Sequence, residues 1–261
     1  MILFMTSRYY TKKLNDNVYL INDDIMCSTY VVVGSKYALV IDTGIPTNEE
    51  LLLPLIKKIT NLPLKVVITH AHFDHIGHLK EFDNYYIALK EYENIKDESL
   101  KENAIIIEDK HVFDLGDVSI EVYISDGHTS ASTILLDKNK QIAFTGDQFG
   151  SGCGVWMQVN EASTLSVYSR EIEKFISYLN SFSSLNDWIV YGGHYGQEET
   201  GRLGYNPLNI EMIINLKHLS NKLINNEIEL LDSNAKSFNN EKSYYANYKN
   251  AEMIIRKSLI K

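Results

Sequence analysis

The chain has 261 residues, 44% of them hydrophobic, enough to enclose a core in one large domain or two small ones. A formal net charge of -9 and a pI near 5.4 work against non-specific binding to phosphate backbones, so nucleic acid is not an expected partner. No apolar run approaches the roughly 18 residues of a membrane span, the opening MILFMTSRYYTKK lacks the parts of a signal peptide, and Cys27 and Cys153 show no CxxC spacing; a cytoplasmic protein with no membrane partner is expected.

Asn17-Val18-Tyr19-Leu20-Ile21 reads as a short strand. Two further strands, 28–33 and 37–41, meet as a hairpin across Gly34-Ser35-Lys36, and Asp42-Thr43-Gly44 closes the second. Between Thr47 and Thr60, Leu51, Leu52, Leu55, Ile56 and Ile59 recur at helical spacing, with Glu49 and Glu50 early and Lys57 and Lys58 late; Pro54 predicts a kink or a late start. Residues 64–69 form a strand that runs into ITHAHFDHIGH (68–78), after which 76–82 starts a helix and Ile105-Ile106-Ile107 returns to strand. Strands over 118–124, 141–145 and 187–191 end at Ser125-Asp126-Gly127-His128, at Gly146-Asp147 and at Gly192-Gly193-His194, with another at 134–136.

The remainder is helical in pattern: 163–179, then the segment from Asn206 with Leu208, Met212, Ile213, Leu216, Leu219, Leu223 and Ile224 on one face. Met253-Ile254-Ile255 with Leu259-Ile260 predicts a final helix, and 234–250 reads as a connector. With no repeat of solenoid period and no linker, one domain is expected, residues 1–205 forming its core and 206–261 a helical C-terminal extension.

Four strand ends carry His or Asp. Loops after strand ends collect ligands because the sheet holds them while they supply the polar groups. Imidazole and carboxylate suit zinc, iron and manganese, and His70-x-His72 places two rings close enough to share one ion. Asp74 and His75 supply a second pair, which exceeds what one catalytic ion uses and implies two. His128 then closes a first site with His70 and His72, His194 closes a second with Asp74 and His75, and Asp147 bridges both. Such a pair of ions can hold a shared hydroxide at neutral pH.

HAHFDH at 70–75, GHT at 127–129, GD at 146–147 and GGH at 192–194 resemble, in that order, the metallo-β-lactamase superfamily over about the first 200 residues. The resemblance implies an α/β fold, a four-layer αββα sandwich, with the dinuclear site at one edge and Asp42-Thr43-Gly44 close by. It also implies a hydrolase in which a metal-bridging hydroxide cleaves an ester, thioester or lactone of a small molecule, with two divalent ions, zinc ahead of iron or manganese. Asp147, where zinc β-lactamases of one type place cysteine, resembles the glyoxalase II, lactonase and phosphodiesterase branches. Within GDQFGSGCGVW, Val155 stands where the glyoxalase II pattern has arginine. An iron oxidoreductase in the same ligand frame and a phosphodiesterase or nuclease are the alternatives.

Other residues divide between roles. Asp74 is a candidate proton relay as well as a ligand, and Tyr195, beside His194, a candidate donor to an oxyanion. Trp156 and Met157 serve a substrate pocket or the core equally well, and Asp42 is a structural turn residue or a support to the ligands. Cys153 reads as a small buried hydrophobe. His78, His111 and His218 read as surface or helix-face positions.

Overall fold

Runs of β-branched residues set the first half of the chain into strands. In the computed structural model, which describes residues 9–23, 26–45, 50–150, 154–195, 198–199, 202–203, 207–235 and 238–261, the chain divides into two compact units, Met1–Glu121 and Val122–Lys261. Cys153 and Thr47–Glu49 lie outside the described residues.

The first unit is built on a seven-stranded sheet in chain order: β1 (Tyr10–Lys13), β2 (Val18–Asn22), β3 (Ser28–Val33), β4 (Ala38–Ile41), β5 (Leu64–Val67), β6 (Tyr85–Ala88) and β7 (Ala104–Ile107). The first four pair antiparallel, β3 and β4 as the expected hairpin. From β4 to β7 the pairing is parallel. Ile41 lies beside Val67, so the carboxyl ends of β4 and β5 open side by side and deliver Asp42 and Thr69 to one place.

Helix α1 (Leu52–Ile59) links β4 to β5 and buries Leu52, Leu55 and Ile56 against Val31, Val40, Val66 and Ile68. It starts late: Pro54 falls in its first turn, where a missing N–H costs nothing. The Leu52 and Leu53 amides donate to Glu81 Oε1 and Oε2 at 3.1 and 2.8 Å, in place of a local cap. The helix expected over 76–82 shrinks to a 3-10 turn at Leu79–Glu81. The reason is local, because the Gly77 amide donates to Gly44 O and the His78 amide to Thr43 Oγ1 rather than within a helix. Two short helices, α2 (Leu89–Asn94) and α3 (Glu98–Lys101), follow β6, and β8 (Val112–Asp114) pairs with the first residues of β9 (Ser119–Ser125).

The division between units falls within β9. In the second unit β9, β10 (Ser132–Asp137) and β11 (Ile142–Phe144) lie in one sheet with β13 (Ile189–Tyr191), in the order β13-β11-β10-β9. Strands β11 and β13 are parallel, Phe144 beside Tyr191. Their carboxyl ends are tied by Thr145 N–H to Tyr191 O at 2.9 Å and Gly193 N–H to Gly146 O at 2.8 Å, which sets Asp147 and His194 together. Helices α4 (Leu165–Asn180) and α5 (Ile210–Ile224) form as expected and pack Ile172, Phe175, Met212, Leu216 and Leu219 into this unit's core. Two-residue strands β14 (Glu198–Glu199) and β15 (Arg202–Leu203) pair with each other.

The expected final helix does not form. Met253-Ile254-Ile255 lies in β18 (Ala251–Arg256), which runs parallel to β12 (Val155–Met157) and antiparallel to β17 (Ser243–Tyr248), itself paired with β16 (Leu231–Asp232). All six residues of β18 are buried, Glu252 and Arg256 included, and the short apolar run Met253-Ile254-Ile255 carries no period that separates buried strand from buried helix. Likewise the connector over 234–250 contains a strand, and among the described residues of 206–261 helix α5 is followed by three strands and a 3-10 turn at Lys257–Leu259. Among the described residues no helix is long and apolar enough to cross a membrane.

Ile255 is fully buried on β18 within the second core. Ile255→Ala should lower unfolding free energy by about 2–5 kcal/mol in a urea titration. A loss under about 0.5 kcal/mol would contradict that placement.

Candidate metal centre

In the first unit the chain leaves β5 at Ile68 and enters the histidine loop under three constraints. Asp42 accepts from the Thr69 amide and the Thr69 hydroxyl, both at 2.7 Å, and from His75 Nδ1 at 2.9 Å. Thr43 N–H and its hydroxyl both donate to His75 O, at 2.8 and 3.1 Å. Glu91 on α2 accepts from the Ala71 amide at 2.9 Å. Asp42 itself has φ +61°, an uncommon value for a residue with a side chain, and is 2% exposed. Its charge-assisted bonds, of about 1.5–3 kcal/mol each, outweigh a backbone cost of about 1–3 kcal/mol.

These bonds fix tautomers. Because the Thr69 hydroxyl donates to Asp42, its oxygen accepts from His70 Nδ1 at 3.1 Å. His75 Nδ1 is likewise bound to Asp42, so both rings carry their proton on Nδ1 and keep Nε2 unprotonated, as an electron-pair donor. His70 Nε2 lies 3.0 Å from His72 Nδ1, the rings 4.5 Å apart and inclined by 78°. Two nitrogens on one tetrahedral ion at 2.0–2.1 Å sit about 3.3 Å apart, so this spacing suits a shared cation. Asp74 Oδ2 is 4.0 Å from His75 Nε2, and Cys27, 1% exposed, donates its thiol to Asp74 O at 2.6 Å. Cys27, Asp74 and His75 each offer an atom within 4.8 Å of the others.

The second unit repeats the device. His128 Nδ1 donates to the Trp156 carbonyl on β12 at 2.8 Å, which again leaves Nε2 unprotonated. Asp147 Oδ2 lies 3.9 Å from His128 Nε2 and 3.4 Å from His194 Nε2. Gln148, fully buried, holds the loop before His128: its Nε2 donates to Ser125 Oγ and Asp126 O at 2.9 and 3.0 Å, and its Oε1 accepts from His128 N–H at 3.2 Å. Its own carbonyl accepts from Tyr168 OH on α4 at 2.8 Å, and complete burial pushes that phenol well above its usual pKa, so it remains a donor.

The structure thus groups His70, His72, Asp74 and His75 in one unit and His128, Asp147 and His194 in the other, with Tyr195 half-buried beside His194 in the chain. Asp42 supports the ligand loop directly through His75. Trp156 is 39% exposed while Met157 is fully buried in the core. His78 is a correction, being 4% exposed rather than a surface residue: its Nδ1 faces Glu81 Oε1 at 2.5 Å and its Nε2 faces Tyr9 OH at 2.8 Å. His111 packs beside Tyr86 and Phe113, and burial, with Lys65 adding to it, lowers its pKa; His218 is exposed on α5. Sequence reading missed Glu91, Gln148 and Cys27, which carry no spacing signal, and Phe73, 65% exposed between His72 and Asp74.

Gln148→Met keeps the volume and removes three side-chain bonds, so unfolding free energy should fall by about 2–3 kcal/mol. A melt indistinguishable from wild type would show that those bonds do not hold the His128 loop.

Residues 22–194 match the Lactamase_B family model, metallo-beta-lactamase superfamily. The human acyl-coenzyme A thioesterase MBLAC2 is 26% identical over 248 residues, 76% of this chain and 86% of that protein. The probable hydroxyacylglutathione hydrolase glo2 of Schizosaccharomyces pombe is 31% identical over 116 residues, 42% of this chain and 44% of that one. Among solved structures, the DIM-1 metallo-beta-lactamase exposed to ceftazidime matches with a TM-score of 0.62 and 20% identity over 82% of this chain and 96% of that one. The metallo-beta-lactamase from Pontibacter korlensis matches at 0.58 and 18%, over 79% and 99%. A model match across most of the chain, together with these folds, places the protein in the metallo-β-lactamase superfamily, with its α/β sandwich fold and as a metal-dependent hydrolase.

Proposed function

We propose that the protein hydrolyses a thioester of a small-molecule thiol, with two divalent ions, zinc before iron or manganese, held by His70, His72, Asp74, His75, His128, Asp147 and His194. The observation that carries the reading is the common arrangement of His70, His75 and His128, each with Nδ1 bound to an oxygen and Nε2 left as a lone pair. The donor set of imidazoles and carboxylates fits such ions. When bound, the ions ionise water at neutral pH and withdraw charge from a carbonyl oxygen. Thioesters are favoured over lactones and other esters because the two curated relatives above are named for releasing an acyl group from a thiol carrier.

The chain's own residues supply the rest. Asp74, with 18% of its side chain exposed, accepts the proton of the attacking water and passes it to the departing thiolate. Tyr195 donates to the oxyanion as the carbonyl becomes tetrahedral. Phe73 and Trp156, both exposed, offer apolar contact to the acyl group. The buried tautomer chain from His70 through Thr69 to Asp42 keeps the rings from rotating as charge develops.

The test is hydrolysis of a thioester panel, with metal content measured on the same sample. Chelation should abolish turnover and added zinc restore it. His70→Ala and Asp147→Ala should each lower kcat/KM by about a thousandfold or more and reduce bound metal. Full turnover in either variant would sink the reading. Tyr195→Phe should lower kcat by about 10- to 100-fold with KM unchanged; an effect confined to KM would remove Tyr195 from the chemistry.

A further inference from the structure

Glu91 stands outside every motif in the sequence, yet it is 1% exposed in the first turn of α2 and its Oε2 accepts the Ala71 amide at 2.9 Å. A buried carboxylate is costly unless its hydrogen bonds are made, so this side chain is not a passive filler. The amide it holds belongs to the peptide joining His70 to Ala71. Rotation of that peptide plane would change ψ of His70 and φ of Ala71, and with them the relative aim of His70 and His72. Asp42 fixes the amide two residues earlier, at Thr69, but nothing it binds restrains the peptide between the two histidines.

We infer that Glu91 is a positioning residue that presets the His70–His72 pair for a metal ion by gripping the Ala71 amide. It rests on the metal reading of the loop and not on the choice of substrate. The spacing of 3.0 Å between His70 Nε2 and His72 Nδ1 is the quantity Glu91 controls. A support of this kind, one bond removed from a ligand, typically alters metal affinity by about 10- to 100-fold.

The test uses the full chain stripped of metal. In the wild type, amide hydrogen exchange followed by NMR should find Ala71 N–H protected before any metal is added. Titration with Co2+ against a competing chelator should then show Glu91→Met, which keeps the length but has no acceptor, binding at least about tenfold more weakly, with a changed visible spectrum of the bound Co2+. Glu91→Gln, whose Oε1 still accepts, should stay within about threefold of wild type. If Glu91→Met does not fold, Glu91→Asp, which withdraws the carboxylate by one methylene, takes its place with the same expectation. An unprotected Ala71 amide in the wild type, a folded Glu91→Met with unchanged affinity and spectrum, or a Glu91→Gln as impaired as Glu91→Met would each overturn the inference. Absence of Co2+ uptake by the wild type would instead overturn the metal reading beneath it.

Discussion

The carboxylate of Asp42 is the interaction on which the first unit's half of the ligand set depends. It lies at the carboxyl end of β4, where the parallel neighbour β5 ends beside it, and its left-handed backbone turns the chain so that the carboxylate faces back toward Thr69 and His75. From there one acceptor governs two imidazoles, His75 directly and His70 through the Thr69 hydroxyl. Rotating either ring would leave a buried donor without its acceptor, a cost of about 1–3 kcal/mol, so the rings hold their aim without an ion to hold it for them.

The second unit solves the same problem with neutral groups. A main-chain carbonyl of β12 takes the place of the carboxylate for His128, and the Gln148 amide fixes the loop before it. His70, His75 and His128 are all almost fully buried, so both kinds of acceptor hold their ring away from water; the carboxylate makes the stronger bond. In the first unit the histidine loop, and in the second Asp147 and His194, follow two parallel strands that end side by side, β4 with β5 and β11 with β13, while His128 follows β9. Two polypeptide segments distant in sequence are thereby brought within a few ångströms with little freedom left to either.

What could be read from the chain follows from which signals are periodic. Val31-Val32-Val33 and Val40-Ile41 announce strands because β-branched runs bounded by turn residues have few other uses, and the His-x-His-x-Asp-His spacing announces metal because little else requires it. Strands β1 and β6, built partly from Lys, Thr and Tyr, lack that contrast. The apolar run of β18 is consistent with helix and strand alike, and only its neighbours β12 and β17 decide. Glu91 and Gln148 were illegible for a different reason. A supporting side chain is defined by what it reaches in space, Ala71 N–H from 20 residues away and the residues before His128 from about 20, and no local pattern marks either.

The pairing of β12 with β18 has a consequence for how the protein is made. These strands are parallel and nearly a hundred residues apart, and the carbonyl that orients His128 belongs to β12. During synthesis the strands, loops and helices of the first unit can pair as they emerge, whereas β12 waits for its partner until residue 256 has left the ribosome. The nascent chain therefore carries a complete histidine loop, and the Gln148 brace before His128, well before the strand that orients the His128 ring has its partner. Pairing of β12 with β18, and with it the seat of the His128 ring, is thus completed only once residues about a hundred positions further along have been translated.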